Sequence, residues 1–273
     1  MKRAHEKPLR ALTVAGSDTS GGAGIQADLA TFAALGVFGS SAVTALTVQD
    51  TRGVMAVRAV SPALVVRQIE AVLQDVGADA IKTGMLCNRP VVEAVAAALA
   101  GARPRNLVID PVIRSTSGAE LLDRRGIGAL RKSLLPLARA VTPNLAEASA
   151  LAAIEVVDIE TAAEACRRIL DLGPQAVVVT GGHFAGDPID IVADRHGLRR
   201  LHGHRIRMDA HGTGCVFSAA LAVHLAAGRA IDEAVRRAKR FVEARLRRAA
   251  RLGAGRAILD LRQGSASSRP HGA

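Results

Sequence analysis

Short apolar runs and longer segments of helical periodicity alternate along the chain of 273 residues. "ALTVAGS" predicts a first strand, and Ala23 to Leu35 a helix that stops at Gly36. "SSAVTALTVQD" predicts one β-branched strand and "GVMAVRAV" another, before a helix that opens at Pro62 and runs to about Val76. "AIKTGML" reads as a strand, "RPVVEAVAAALAG" as a helix, and "NLVIDPV" as a strand cut by Pro111. The helix "GIGALRKSLLPLA" leads to the strand "RAVTPN", followed by helices near Ala146 to Ala153 and Glu160 to Leu172. "QAVVVTGGH" predicts a buried strand, and "PIDIVADRHGLRRLHGHRI" a hairpin with "HG" near its turn. Helices from about Gly214 and from Ile231 complete the pattern.

This alternation predicts an α/β fold with a mostly parallel sheet covered on both faces. No internal repeat or long linker divides the chain, so a single domain is expected over residues 11–262, between tails at 1–10 and 263–273. The last stretch, "RQGSASSRPHGA", is expected to be disordered. In such sheets ligands bind beyond the carboxyl ends of the strands. Gly16, Asp18, Gln49, Asp110, Asn144, Gly181 and the turn before Cys215 all fall there.

Composition narrows the class. Hydrophobic residues make up 49% of the chain, enough for a sizeable core. No apolar run reaches the ~18 residues of a membrane span. The charged start "MKRAHEKPLR" lacks the apolar centre of a signal peptide, so a cytoplasmic location without a membrane partner is expected. Cys87, Cys166 and Cys215 are odd in number and show no paired spacing, which disfavours a disulfide framework or structural zinc.

The net charge of +11 is mostly arginine and is densest from Arg236 to Arg256. That run suits either nucleic acid or a solvated helix docked through Phe241, Val242 and Leu246. With no Trp or Tyr and only five Phe, stacking platforms for bases are scarce, and no nucleic-acid partner is expected. A basic surface also draws in anionic nucleotides.

Three glycine- or acid-bearing turns carry candidate chemistry. In "AGSDTSGGAGIQAD", Gly22 to Ala27 matches GxGxxA formally. The first glycine comes about six residues after the strand, too late for a dinucleotide turn, and no GK[ST] follows. The loop either brings backbone close to a ligand, with Asp28 pointing back from the helix, or is a plain connector. Asp110 in "DPVIRSTSG", with Asn144 and Glu147 in "TPNLAEASAL", suits hydrated Mg²⁺ beside phosphates. The same Asn144 and Glu147 equally suit a helix capping box.

In "HGTGC", Gly212 and Gly214 let successive N–H groups converge at a helix start, an arrangement that binds anions. A thiol there is expected to have a lowered pKa and to accept a proton from a substrate hydroxyl. The alternative is a small buried cysteine that packs the helix start.

Taken together, "ALTVAGSDTSGGAGIQADLATFAALGVFG", "SAVTALTVQDTRGV", "KTGML", "DPV…TSG", "TPNLAEASAL", "GGH" and "HGTGCVFSAALA" resemble the hydroxymethylpyrimidine/phosphomethylpyrimidine kinases of thiamine biosynthesis. The resemblance runs from about Ala11 to Ala250 in the family's order. It implies a ribokinase-like three-layer αβα fold, ATP and Mg²⁺ as cofactors, and a homodimer. It implies transfer of the ATP γ-phosphoryl group to the pyrimidine's hydroxymethyl group, and then phosphorylation of that monophosphate.

By the same resemblance Cys215 is the catalytic base, and Gly212, Thr213 and Gly214 form the anion hole. Gln49, Met85, Asp28 and Gly16 meet the pyrimidine. Asp110 and Glu147 organise Mg²⁺, and Asn144, Thr180 and Gly182 lie on the nucleotide side. The chain also departs from the family's pattern. Thr180 stands where many members have lysine, Val216 where threonine is usual, Asp50 where asparagine is usual, and Ala119 where a carboxylate is usual. Arg114, Arg124 and Arg125 are candidates for compensating charge. Pyridoxal kinase and a pyrimidine-binding sensor are the competing readings.

Overall fold

Alternation along the central strands sorts their side chains into two cores. The structure is a computed structural model and describes residues 7–115, 117–182 and 187–262. The tail at 263–273 and most of the tail at 1–10 lie outside the described residues.

The chain begins with β1 (Arg10–Ala15), α1 (Gly24–Ala34) and β2 (Phe38–Val43). β3 (Ala45–Gln49), β4 (Val54–Ala59), α2 (Pro62–Asp75), β5 (Ala80–Thr83), α3 (Arg89–Ala102) and β6 (Leu107–Ile109) follow. Next come α4 (Arg124–Ala129), β7 (Ala140–Val141), α5 (Leu145–Ala152), α6 (Ile159–Leu170) and β8 (Ala176–Val179). β9 (Ile189–Asp194), β10 (Gly197–His202), β11 (Ala210–His211), α7 (Thr213–Ala226), α8 (Ile231–Leu246) and β12 (Ala257–Ile258) complete it.

Eight strands form the main sheet in the order β10-β9-β8-β7-β6-β5-β1-β2. From β2 to β8 every pairing is parallel, and β8, β9 and β10 pair antiparallel. Leu12, Ile81, Leu107 and Ile109 face the layer built by α2 to α6. Ala80, Val108, Val178 and Val192 face α7 and α8 instead. α1 joins that second layer through Phe32, which packs with Ala11, Ala219 and Val223. α7 is apolar nearly all round its first three turns, as a helix buried on every side must be.

The expected hairpin is present, as β9 pairs β10 around Arg195 and His196. Three expectations are corrected. The single strand "SSAVTALTVQD" divides at Thr44, whose hydroxyl donates to Met85 O at 2.6 Å and whose N–H donates to Ala15 O. Beyond that point β3 leaves the sheet and pairs antiparallel with β4 alone. The helix expected from Gly126 starts at Arg124, capped by Asp123, then widens over Leu130–Leu134 and ends on a tight turn at Pro136. β11 and β12, two residues each, have no periodic signal and were not foreseen.

The arginine-rich helix α8 docks on the body, burying Ala234, Val235 and Ala238. Arg229 and Arg237 pair with Glu233, and Arg245 stacks on the Phe241 ring at 4.7 Å. His224, on α7, faces this cluster. Burial is the main cause that depresses its pKa from 6.5 to about 4, helped by Arg237, Arg229 and Arg240 and opposed by Glu233. The unfolded chain therefore binds this proton more readily than the folded one. The stability that rests on neutral His224 is full above pH 6.5 and is lost as pH falls towards about 4. Urea midpoints measured across that window should fall less steeply for His224→Gln than for the wild type.

Candidate active site

The carboxyl ends of β1, β5, β6, β7 and β8 meet at one edge, and the alternation that sorts the cores also sets the chemistry there. Thr13 pairs in register with Lys82, and Lys82 with Val108. Thr13, Lys82 and Asp110 therefore share the face that looks towards α1 and α7. All three are buried, as are Asp28 of α1 and Ser218 of α7. The Lys82 ammonium lies 2.9 Å from both Asp28 oxygens and 3.7 Å from Asp110 Oδ2. Thr13 Oγ1 donates to Asp28 at 2.6 Å. Burial alone lowers an ammonium's pKa, but Asp28, Cys215 and Asp110 together raise that of Lys82 above its ordinary value.

Cys215 stands in the first turn of α7, after Gly212 at φ 81°. A side chain at Gly212 would run into the Gly22 carbonyl, so the closing turn and the first glycine loop touch backbone to backbone. Gly24, at φ 57°, is pressed against Gly16 O in the same way, and its N–H is directed at the Cys215 sulfur. Asp110 accepts from Ser218 Oγ at 3.1 Å and lies within hydrogen-bond reach of Cys215.

The expected lowering of the thiol pKa is corrected. Burial is the largest cause and raises it; Lys82 and Gly24 N–H oppose, while Asp110 and Asp28 add to the rise. The thiol is pushed up to about 12. One helix end does not outweigh the loss of hydration, to which two buried carboxylates add.

The capping reading of Asn144 and Glu147 is seen directly. They form a reciprocal capping box, with Asn144 N–H donating to Glu147 Oε2 and Glu147 N–H to Asn144 Oδ1, each at 2.9 Å. Glu147 is also buried against Asp110. Burial first, and the Asp110 charge second, push its pKa up to about 8. Asp110 is likewise raised, chiefly by burial. Two buried carboxylates that disfavour each other's charge form a donor set that suits a hard divalent cation. Among the described residues no group of three or more His, Cys, Asp or Glu is placed to hold a metal. A cation between Asp110 and Glu147 would therefore complete its shell with phosphate and water oxygens.

Gly16 and Met85 come together as expected: a side chain built at Gly16 would lie 3.3 Å from Met85 Sδ, beside Ala45 O. β3 turns Ala45, Thr47 and Gln49 inwards over the first loop. Thr47 Oγ1 donates to Ser17 O at 2.8 Å, and Gln49 N–H to Thr19 Oγ1 at 3.0 Å. The Gln49 amide reaches His211, and His211 reaches Asp18. Asp28 is placed elsewhere than expected. It is enclosed beneath this pocket, with its oxygens committed to Thr13 and Lys82.

Thr180 sits beside Asn144, and its N–H donates to Pro143 O at 2.9 Å. Gly181 N–H donates to Asp190, which is paired with Lys239 of α8. Gly182 opens onto free space. Val216 is buried and packs with Ala27, Ala210 and Ala257. Asp50 caps its own turn, accepting from Arg52 N–H at 2.8 Å and from Gly53 N–H at 3.1 Å. Arg114, Arg124 and Arg125 are exposed.

Lys82, Ser218 and His211 were not singled out from the sequence. For Lys82 a signal exists: a lysine inside a short strand buried on both faces must have a counter-ion nearby.

A mostly parallel sheet of this order, with its polar residues gathered at the carboxyl edge, is the ribokinase-like design of small-molecule kinases. The family model described as phosphomethylpyrimidine kinase matches residues 18–260. The hydroxymethylpyrimidine/phosphomethylpyrimidine kinase of Rhizobium meliloti is 47% identical over 249 residues, which cover 90% of this chain and 93% of that protein. The thiamine biosynthesis bifunctional protein ThiED of Geobacter sulfurreducens is 47% identical over 246 residues. The match covers 89% of this chain but spans only half (50%) of that longer protein. The pyridoxal kinase of Staphylococcus aureus, solved with pyridoxal, superposes with a TM-score of 0.87 at 33% identity, over 94% of each chain. The chain belongs to the phosphomethylpyrimidine kinase family.

Lys82→Met would leave Asp28 and Asp110 buried without their cation. It should cost about 3–5 kcal/mol of stability, and Lys82→Met/Asp28→Asn should recover part of that. Urea unfolding of the two variants checks this; a loss under about 1 kcal/mol for the single variant would show that the ammonium is dispensable.

Proposed function

We propose that this chain transfers the γ-phosphoryl group of ATP to the hydroxymethyl oxygen of 4-amino-5-hydroxymethyl-2-methylpyrimidine, and then phosphorylates the resulting monophosphate. The observation that carries this reading is the meeting of Cys215, Lys82 and Asp110 at the first turn of α7, beside the Gly16–Met85 pocket. Membership of a family with pyrimidine kinases supports the substrate class. The Staphylococcus aureus enzyme solved with ADP supports ATP as the donor.

Phosphoryl transfer needs charge stabilisation on the moving oxygens and an acceptor for the hydroxyl proton. The N–H groups of the Gly212–Gly214 turn, at the positive end of α7, are suited to the first task. Cys215 is the proton acceptor within the same turn. The Lys82 ammonium holds the developing thiolate, and Gly24 N–H donates to it. Gln49 and Met85 hold the pyrimidine ring, with Gly16 leaving room for it. Asp110 and Glu147, flanked by Asn144, would hold Mg²⁺. When bound there it supplies the positive charge that draws the triphosphate to this edge. Thr180 and Gly182 line the nucleotide side, where Thr180 brings a hydroxyl and no charge.

A pyridoxal kinase is the second reading, favoured by the close superposition on the Staphylococcus aureus enzyme. The higher identity to the pyrimidine kinases, 47% against 33%, places it second. ATP turnover with the free pyrimidine, its monophosphate and pyridoxal, run side by side, decides between them. A preference for pyridoxal overturns the first reading. Cys215→Ala should lower kcat by about 10²–10⁴-fold while pyrimidine affinity largely survives. Near-normal turnover would remove Cys215 as the base.

The homodimer expected from the family finds support in the β3–β4 hairpin. Its outer face shows Leu46 and Val48, with Ala56 paired opposite Val48, and a two-stranded hairpin is marginal on its own. Sedimentation should give a dimer for the wild type and a smaller species for Leu46→Glu.

A further inference from the structure

Asp18 is a buried carboxylate with its acceptor sites filled. Oδ1 accepts from Ser20 N–H and Ser20 Oγ, each at 2.8 Å. Oδ2 accepts from Ala23 N–H at 2.7 Å and faces His211 Nε2 at 3.1 Å. An ionised carboxylate can only accept, so the His211 nitrogen that faces it must carry a proton. Burial opposes ionisation of Asp18, but His211 and Ser20 outweigh it and hold the carboxyl below its ordinary value. The same Nε2 lies 2.7 Å from the side-chain amide of Gln49. A protonated nitrogen cannot accept from an amide N–H. The end of Gln49 that meets His211 is therefore its carbonyl oxygen, since amide orientation follows the hydrogen-bond network. The outcome is the same whether the imidazole is neutral or charged.

We propose that His211, polarised by Asp18, is a positioning residue that fixes the Gln49 amide with its carbonyl inward, so that only N–H donors are left for the substrate ring. The inference rests on the reading above that Gln49 meets the pyrimidine. It makes the pocket select a ring with an acceptor nitrogen, as an aminopyrimidine has. His211 also immediately precedes Gly212, and a side chain built at Gly22 would lie 3.0 Å from the imidazole. One residue thus ties recognition of the ring to the turn that meets the phosphates.

The test compares the pyrimidine with two analogues in which one or the other ring nitrogen is replaced by C–H. The wild type should disfavour one analogue by about 10-fold or more in kcat/KM, because a donor at Gln49 is left unpaired. His211→Phe should shrink that ratio to within about 3-fold, mainly through KM, and His211→Gln, which keeps an N–H, should restore part of it. An unchanged ratio in His211→Phe overturns the inference, as does a wild type indifferent to both analogues. If Gln49→Ala leaves pyrimidine affinity unchanged, the pocket reading itself fails and takes the inference with it. ¹⁵N NMR of the wild-type imidazole needs no variant and no substrate: protonated Nε2 is expected, and unprotonated Nε2 overturns the proposal.

Discussion

A single buried ammonium organises this molecule. Lys82 has no exposed surface, and a lone charge in such a place would cost several kcal/mol. The fold meets that cost by bringing Asp28 from α1 and Asp110 from the end of β6 against it. Those two contacts fix how α1 lies on the sheet and which way the loop after β6 leaves it. They also leave little space nearby: a side chain at Gly84 would lie 2.9 Å from the ammonium nitrogen. The two faces of the sheet differ as a result. One is aliphatic apart from the Thr83 hydroxyl, while the other gathers charge at the carboxyl edge through Thr13, Lys82 and Asp110. A core chosen for stability alone would use apolar residues there, since well-packed hydrophobic replacements of buried ion pairs often fold as well.

The charge balance at that edge explains the rest of the site. Asp110 and Asp28 share one lysine, and Glu147 is buried against Asp110; burial first, and these carboxylates second, push Glu147 up to about 8 and Cys215 up to about 12. Thr180 adds no cation of its own. Lys239 lies nearby but is paired with Asp190, which in turn holds Gly181 N–H. That lysine shapes the turn after β8 and is not free to meet a nucleotide. On the proposed mechanism the attraction for phosphates falls to the N–H groups of the Gly212–Gly214 turn and to the cation that Asp110 and Glu147 would hold.

Most of the architecture was legible because hydrophobic periodicity reports burial, and this fold buries its elements in regular layers. What escaped lacks periodicity. β11 and β12 are two-residue pairings set by where α8 returns the chain, and no local pattern encodes them. The break at Thr44 depends on a hydroxyl reaching Met85 O from 41 positions away. Site residues in glycine turns were legible because the turn itself is a signal, as with Gly212 and Cys215. Asp28 was read as facing the ligand, but a helix position gives no hint that its partner is a lysine 54 positions on. His211 was hidden for the opposite reason. It lies beside a conspicuous cysteine turn, and Gln49 and Asp18, which it meets, come from segments far away in sequence.

Cys215, proposed above as the proton acceptor, is held near 12 and so is a poor base in the resting enzyme, yet this suits the proposed reaction. Phosphoryl transfer runs through a loose transition state in which the bond to the leaving group is largely broken before the acceptor oxygen has bonded appreciably. The hydroxyl then keeps its proton until late, so a thiolate formed in advance would gain little. A thiol of high pKa yields a strongly basic sulfur at the moment the proton must leave. Lys82 and Gly24 N–H are already placed to hold the thiolate. What opposes it is burial first, and then the charges of Asp110 and Asp28; a cation held by Asp110 would offset part of the second contribution. A cation at Asp110 would thus remove one of the two carboxylate charges that add to the effect of burial on this thiol, and burial itself would remain.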